Sequence, residues 1–173
     1  APGGVFNVSP DGRFAVSPSL DRMCRTQFGY GVLLPPERVP ENDGMPEDDG
    51  LFITDLATGE RRLALSLAEA GRVIERWEGR PVEDWRGYGF LSKFSPDGQR
   101  ILLGVRRGLK EQMQPWDNNA IPGVLRFDVV TCRTDGSELH NALPAECWLN
   151  GGHHTHWFPD SRRVSANLGC FAD

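Results

Sequence analysis

The sequence lacks both an excess of basic residues and a long apolar run. Its 173 residues include 24 acidic and 19 basic side chains, which leaves a formal net charge of -5 at pH 7. A nucleic-acid-binding protein usually carries a basic patch or stripe, so this balance argues against nucleic acid as a partner. No stretch of about 18 consecutive apolar residues occurs, so we expect no membrane-spanning helix.

Several common chemical motifs are also missing. The sequence contains no Gly-rich phosphate loop, no G-x-S-x-G elbow, no H-E-x-x-H and no EF-hand loop. These absences remove the usual grounds for proposing a nucleotide-binding protein, a serine hydrolase, a zinc protease or an EF-hand protein. The acidic run Glu47–Asp49 lies in a Gly-rich stretch. It is predicted to be solvated, with a calcium site as the alternative.

Paired cysteine motifs are absent as well. Cys24, Cys132, Cys147 and Cys170 stand far apart, and no two of them form a C-x-x-C pair of the kind found in zinc or thioredoxin-type sites. Cys132 and Cys147 could close a short loop by a disulfide in an oxidising compartment. The alternative is that all of these residues are buried or half-buried thiols.

What the sequence does contain is a repeated phrase rich in turn residues. With 20 Gly and 13 Pro, the composition favours many short strands joined by turns. The phrase occurs at Phe6–Val16, Leu91–Leu103 and His154–Ala166, with Pro-Asp-Gly or Pro-Asp-Ser at its centre. Each copy predicts a strand, a tight turn that starts at Pro, and a returning strand.

Further strand pairs follow the first two copies and complete four-stranded units. They are separated by the turns Ala57–Gly59 and Thr134–Gly136, and the predicted strands are Leu51–Leu56, Glu60–Leu65, Val124–Thr131 and Ser137–His140. Four antiparallel strands in sequence order form one blade of a β-propeller. The repeat resembles the blades of TolB-like, PD40-type propellers over nearly the whole chain.

The fold prediction is therefore all-β, a β-propeller of four-stranded antiparallel blades. We expect residues 1–173 to form about two and a half blades of a seven- or eight-bladed propeller, with the remaining blades supplied by the same chain. The predicted units are blade 1 (about 5–66), a helical insertion (about 66–80), blade 2 (about 90–145) and the start of blade 3 (about 152–173).

Two insertions interrupt the repeats. Residues 18–50 form a long loop rich in Pro, Gly and acidic residues, and Ser66–Trp77 is predicted to be a short helix. Ser66 is the expected N-cap, and Glu69 would complete a capping box. Long loops on a rigid scaffold often carry ligand contacts, and the alternative for each insertion is a solvated surface excursion.

Polar residues recur at one position of the first strand in each repeat. Alignment on the turn proline places Asn7, Lys93 and His156 together, and the innermost strand of a propeller lines its channel, so these side chains are predicted to converge near the axis. Asn7 and Lys93 are candidate substrate-binding residues. The next position in the strand is apolar and is expected to pack between blades: Val8, Phe94 and Trp157.

Histidine is concentrated in one segment, Gly151–Trp157. His154 and His156 are two residues apart on a predicted strand, so both should project from one face, where they could bind one metal ion. His153 should face the other way. The alternative is a structural histidine that forms a hydrogen bond within its own blade.

Both tyrosines of the chain, Tyr30 and Tyr88, stand between glycines, which permit a close approach of the backbone. The alternative for each is a turn with an anchoring aromatic ring. Arg22 and Arg25 lie near Tyr30 in the first insertion and complete the non-histidine candidates. The pair Arg106–Arg107 is a weaker candidate, because arginine pairs are common on surfaces.

The H-x-H element that enters a PD40-type strand and turn resembles the oligogalacturonate lyase group of β-propeller polysaccharide lyases. The resemblance implies a divalent metal, usually manganese, held on the channel by histidines and a glutamine. His154 and His156 match that motif, while Gly151 stands where the glutamine is expected. Propeller lyases that act on ulvan have a similar architecture and use His, Tyr and Arg.

The function implied by this resemblance is cleavage of uronate-containing glycans by β-elimination. The reaction needs a group that neutralises the carboxylate, a base and an acid. The catalytic candidates are His154, His156, Tyr30, Arg22 and Arg25, and Tyr88 joins the substrate-binding candidates. The expected partner is an acidic oligosaccharide or polysaccharide, and the expected location is periplasmic or secreted, with the cytoplasm left open. The alternative is a non-catalytic TolB-like propeller that binds protein or glycan.

Overall fold

The computed structural model describes residues 4–26, 29–79, 81, 84–110 and 125–169. These residues are mostly β-sheet, as the composition and the repeats predict. The strands are β1 (Asn7–Val8), β2 (Phe14–Ser17), β3 (Gly50–Asp55), β4 (Arg61–Ser66), β5 (Trp85–Phe94), β6 (Arg100–Leu109), β7 (Arg126–Arg133), β8 (His140–Leu143), β9 (Gly152–Trp157) and β10 (Val164–Leu168), and the helix α1 spans Leu67–Glu78.

The strands form three antiparallel sheets in which sequence neighbours are hydrogen-bonded neighbours. The first sheet has the order β1-β2-β3-β4, the middle sheet has the order β5-β6-β7-β8, and the third sheet pairs β9 with β10. Phe94 in the second repeat pairs with Ile101 of β6. Trp157, at the same position of the third repeat, pairs with Val164 of β10. The all-β prediction is confirmed.

The repeated turns have the same local hydrogen bonds in the first two copies. The Ser9 hydroxyl accepts from the Phe14 amide at 2.9 Å and donates to Asp11, and Ser95 does the same with Arg100 and Asp97. In the third copy, the carboxylate of Asp160 accepts the backbone amides of residues 162 and 163. Side chains within each phrase therefore stabilise its own turn.

Two strands differ from their predicted bounds. β5 begins at Trp85, so the Gly87–Gly89 segment lies inside a strand and forms no turn. This extension pairs with the first insertion, where the Gly87 amide donates to the Gly44 carbonyl at 3.0 Å. β8 starts at His140, where the predicted strand ended, and Glu138 before it has φ of 50°, which is not an extended conformation. The predicted start of β7 at Val124 lies outside the described residues.

The predicted helix and its cap are confirmed. The Ser66 hydroxyl accepts from the Glu69 amide at 3.1 Å, and the Glu69 carboxylate accepts from the Ser66 amide at 2.9 Å, so both halves of the capping box are present. The helix ends at Gly79, which has φ of 70°. Leu67, Ala70 and Ile74 bury one face of α1 in the core.

The middle sheet is covered on both faces. One face packs against the first sheet in a core that includes Ile101, Leu103 and Val105. The other face contributes Leu102 and Val129 to a second core, which Trp157 of the third sheet completes. Successive residues of a strand point to opposite faces, so β6 is apolar on both sides. Among the residues described, no helix is long and apolar enough to cross a membrane.

The cysteines within the described residues are free thiols. Cys24 and Cys132 are buried and Cys147 is half-buried, so the sequence-based disulfide between Cys132 and Cys147 is not formed. Burial raises the pKa of Cys132 to about 12 and also raises the pKa of Cys24. Cys170 lies outside the described residues.

The turn aspartates predict how the fold responds to acid. Hydrogen bonds from Ser95 and from the backbone amide of residue 99 lower the pKa of Asp97, and donors in the other turns lower the pKa of Asp11, Asp55, Asp135 and Asp160. A lowered folded-state pKa stabilises the fold above the unfolded pKa of about 3.9, and this contribution is lost as the pH falls further.

We expect Asp97→Asn to be less stable than the parent at neutral pH and to lose less stability between about pH 6 and pH 3. Urea unfolding across that range measures both effects. Asp48→Asn is the matched control, because Asp48 is exposed and outside these turns. An unchanged pH dependence in Asp97→Asn would contradict the prediction.

Candidate functional site

The first strands of successive sheets meet through side chains from the same repeat position. The Asn7 side-chain oxygen accepts from the Phe94 amide at 2.9 Å, and Lys93 Nζ donates to the Thr155 carbonyl at 2.7 Å. The indole N–H of Trp157 donates back to the Lys93 carbonyl at 3.0 Å. Asn7 and Lys93 therefore tie β1 to β5 and β5 to β9.

Lys93 brings a positive charge to the histidine segment. Its ammonium contacts the carbonyl of Thr155, which lies between His154 and His156. Burial lowers the pKa of Lys93, and no carboxylate among the described residues pairs with it. A cation at this point favours an anionic ligand over a second cation.

The histidines are exposed, but the strand that carries them is irregular. His154 has φ of 60°, and β9 holds one extra residue between the pairs His153–Asn167 and His156–Ser165. The rings of His153 and His154 contact each other edge to face with centroids 4.4 Å apart. The two-residue alternation that placed His154 and His156 on one face assumed extended backbone throughout, and His154 departs from it.

The metal prediction rests on these two imidazoles. His156 Nδ1 lies 3.2 Å from the Trp157 carbonyl, within its own strand. In the part of the chain that the structure describes, no group of three or more His, Cys, Asp or Glu residues is placed to hold a metal ion. A metal at His154 and His156 would need further ligands from elsewhere.

Tyr30 lies on the surface and is positioned by the glycine that follows it. Its side chain is 47% exposed, and its ring centroid lies 5.2 Å from that of Phe90. Gly31 has φ of 81°, and a Cβ there would lie 2.1 Å from the Leu20 carbonyl oxygen. The close backbone approach predicted from the Gly-Tyr-Gly pattern is therefore confirmed at Gly31.

Arg106 lies beside Tyr30 in a group of aromatic rings that we call the Arg106 cluster. The guanidinium carbon lies 3.6 Å from the centroid of Phe90 and 5.5 Å from that of Phe127. Trp148 continues the group, with its ring centroid 4.7 Å from that of Phe127. Nη1 of Arg106 donates to the Thr26 carbonyl at 3.1 Å.

The electrostatic state of Arg106 is unusual. Burial lowers its pKa to about 10, so the group is still charged at neutral pH but poorly solvated. No described carboxylate forms an ion pair with it. Sequence reasoning ranked Arg106 low as one of a surface pair. Successive side chains of β6 point to opposite faces, so Arg106 and the buried Arg107 lie on different faces of the sheet. This alternation in the sequence could have distinguished the two residues.

The first insertion is organised by a buried carboxylate, Asp49. Asp49 is 1% exposed and accepts from the Ser19 hydroxyl, from Asn42 Nδ2 at 2.8 Å and from the Gly50 amide at 2.8 Å. Arg22 Nε lies 3.9 Å from the same carboxylate. Within the acidic run, Glu47 and Asp48 are therefore exposed, whereas Asp49 is buried. The carboxylate oxygens of Asp49 already accept hydrogen bonds from neighbouring residues of the protein.

Two predicted site residues are buried within this framework. Arg25 is 8% exposed, pairs with Glu41 at 3.2 Å and donates to the Pro40 carbonyl at 3.3 Å. Tyr88 is 1% exposed, and its hydroxyl accepts from the Asn42 amide at 3.2 Å. Burial raises the pKa of Tyr88. Both side chains are buried and their polar atoms bond to residues of the insertion, so Arg25 and Tyr88 hold the insertion in place.

A second buried network lies at the end of the middle sheet. Arg107 is 1% exposed and pairs with Asp128 at 2.9 Å and with Glu78 at the end of α1. Burial raises the pKa of Asp128, against the opposing effect of Arg107. The Asp128 carboxylate also accepts from the Ala145 amide at 3.0 Å. These charges are enclosed by the fold and serve its structure.

The candidate site therefore consists of the Arg106 cluster and the neighbouring histidine segment. Trp148 joins the two, because a Cβ at Gly152 would lie 2.8 Å from its ring. Gly152 is the first residue of β9, which carries the histidines. Of the predicted residues, Tyr30 belongs to the cluster, and Lys93 contacts the histidine strand.

Comparison with known proteins adds no constraint on function. No protein-family model, curated protein or solved structure matches this chain.

We expect Asp49→Asn to destabilise the first insertion, because an amide nitrogen would face donors that now meet a carboxylate. The expected loss of unfolding free energy is about 2–4 kcal/mol. Hydrogen exchange across residues 18–48 should show faster exchange, and urea unfolding measures the global loss. Asp48→Asn is the adjacent control and should change neither. Equal behaviour of the two variants would contradict the role given to Asp49.

Proposed function

We propose that this chain is part of a β-propeller with PD40-type blades. The proposal is supported by the successive four-stranded antiparallel sheets and by the contacts between their first strands. The first and middle sheets would be blades, and β9 and β10 would begin the next. Closed propellers typically have about four to eight blades, so these sheets would form part of a ring, seven- or eight-bladed by resemblance.

We further propose that the protein cleaves uronate-containing glycans by β-elimination. The observation that carries this proposal is the exposed histidine strand beside Lys93 and the Arg106 cluster. A polyanionic substrate suits such a site, because Lys93 and Arg106 are positive and have no carboxylate partners among the described residues. A periplasmic or secreted location belongs to this proposal through the resemblance alone.

The proposed reaction needs a base and an acid at the scissile bond. A base removes the proton on the carbon next to the carboxylate, a carbon–carbon double bond forms, and the bond to the leaving glycosidic oxygen breaks. An acid protonates that oxygen. His154 and His156 are exposed and of a type suited to either role, and the Tyr30 hydroxyl is a second candidate acid. Positive charge nearby stabilises the developing carboxylate dianion.

A divalent metal, manganese by resemblance, remains part of the proposal through His154 and His156. A bound metal would neutralise the uronate carboxylate. The described residues offer no third ligand, and the ammonium of Lys93 beside Thr155 works against a cation.

The second candidate is a non-catalytic TolB-like propeller that binds protein or glycan. The observation that favours it is the use of Asn7 and Lys93 as bridges between sheets. Polar groups on the first strands then serve the architecture, and a binding surface would be sufficient to explain the exposed aromatic and histidine residues.

The complete protein should be incubated with a panel of uronate-containing polysaccharides while ultraviolet absorbance from unsaturated uronate is recorded. We expect a rise, and we expect His154→Ala or His156→Ala to lower the rate by about 100-fold or more, the usual loss of an acid or base catalyst. His140→Ala is the control, since His140 is exposed on β8.

A parallel incubation with chelator separates the two forms of the proposal. Loss of activity with chelator would support a metal at His154 and His156, and unchanged activity would support metal-free catalysis by His and Tyr. No rise on any polymer would contradict elimination on that panel and favour the binding module.

A further inference from the structure

We propose that the Arg106 cluster is a binding subsite for one uronate ring of an acidic glycan, with Arg106 binding the carboxylate. The cluster consists of Arg106, Tyr30, Phe90, Phe127 and Trp148. The choice of a uronate rests on the proposed function. The charge and the aromatic surroundings of Arg106 favour a carboxylate ligand.

Arg106 differs from every other buried or half-buried arginine in the described part of the chain. Each of the others pairs with a carboxylate of the protein: Arg22, Arg25, Arg86, Arg100, Arg107 and Arg126. Arg106 forms one hydrogen bond to a backbone carbonyl and stacks on aromatic rings. A poorly solvated charge without a counter-ion is costly, and a ligand carboxylate would supply that counter-ion.

The geometry of a guanidinium suits a carboxylate in particular. Its planar N–H groups can donate two parallel hydrogen bonds to the two carboxylate oxygens. Within the described residues, Arg106 donates only from Nη1, to the Thr26 carbonyl at 3.1 Å. The remaining N–H groups have no acceptor among the described residues.

The aromatic rings suit the apolar face of a sugar. Tyr30 is 47% exposed at one side of the cluster, and Phe127 and Trp148 are half-buried at the other. Binding sites for small molecules commonly combine aromatic walls with a few oriented polar groups. A sugar ring that carries a carboxylate offers both kinds of contact, whereas a phosphate ion would leave the rings without a partner.

The subsite also lies in line with further positive charge. Leu102 and Arg106 lie on the same face of β6, and Lys93 pairs directly with Leu102, so Lys93 and Arg106 project from one face of the middle sheet. Trp148 connects this face to the start of the histidine strand. A chain of uronates bound at Arg106 would therefore be held beside the groups proposed to cleave it.

The test is binding by the complete protein, measured by isothermal titration calorimetry under conditions without turnover. The probes are a galacturonic acid oligomer, a galactose oligomer of the same length and inorganic phosphate. We expect the acidic oligomer to bind at least about tenfold more tightly than the neutral one. Arg106→Gln should remove that preference, and Arg106→Lys should retain part of it.

Arg61→Gln is the matched control. Arg61 lies over the ring of Phe52 at 3.5 Å, in the same stacked arrangement, but is exposed on the first sheet. This variant should bind as the parent does. Tyr30→Ala provides a second test, because Tyr30 is half exposed and its loss should weaken both oligomers without affecting the charge preference.

Equal affinity for the acidic and neutral oligomers, or an unchanged preference in Arg106→Gln, would overturn the proposal. Phosphate that competes as strongly as the acidic oligomer would also overturn it. Charge-selective binding without any cleavage would support the subsite while contradicting the lyase. Cleavage with unchanged KM in Arg106→Gln would overturn the subsite alone.

Discussion

Strand β6 of the middle sheet is buried on both faces along most of its length, and the neighbouring sheets pack around it. Val105 on one face and Leu102 on the other are both inaccessible, so β6 contributes to two cores at once. Burial of apolar surface is the dominant favourable term in folding, and dense packing on both faces leaves the sheet little freedom to shift. The neighbouring sheets are then positioned by the cores and by the bonds that Asn7 and Lys93 form between first strands.

The first insertion is attached to this rigid sheet through buried polar groups. Asn42 donates to Asp49 and to the Gly87 carbonyl, and it contacts the Tyr88 hydroxyl through its backbone amide. Each of these groups would be costly to bury alone, and together they satisfy one another. The outcome is a long loop with a defined path, which brings Tyr30 over Phe90 at the edge of the middle sheet.

Sequence reasoning succeeded where the determining contacts are local and failed where they are distant. The turns at Asp11 and Asp97 and the cap at Ser66 depend on partners a few residues away, so their patterns are visible in the sequence. The extension of β5 depends on residues 42 and 44, more than forty positions earlier, and the burial of Tyr88 follows from the same contact. No local pattern reports such pairings.

The residues of the candidate site combine an unusual backbone conformation with half-buried charges. Natural sequences are locally consistent, and the exceptions tend to mark function, because an unfavourable arrangement is retained only when something else compensates it. His154 adopts a left-handed backbone without being a glycine, and Lys93 and Arg106 are half-buried cations whose pKa is lowered by burial. The polyanionic ligand of the proposed function would supply the counter-charge that both cations lack among the described residues.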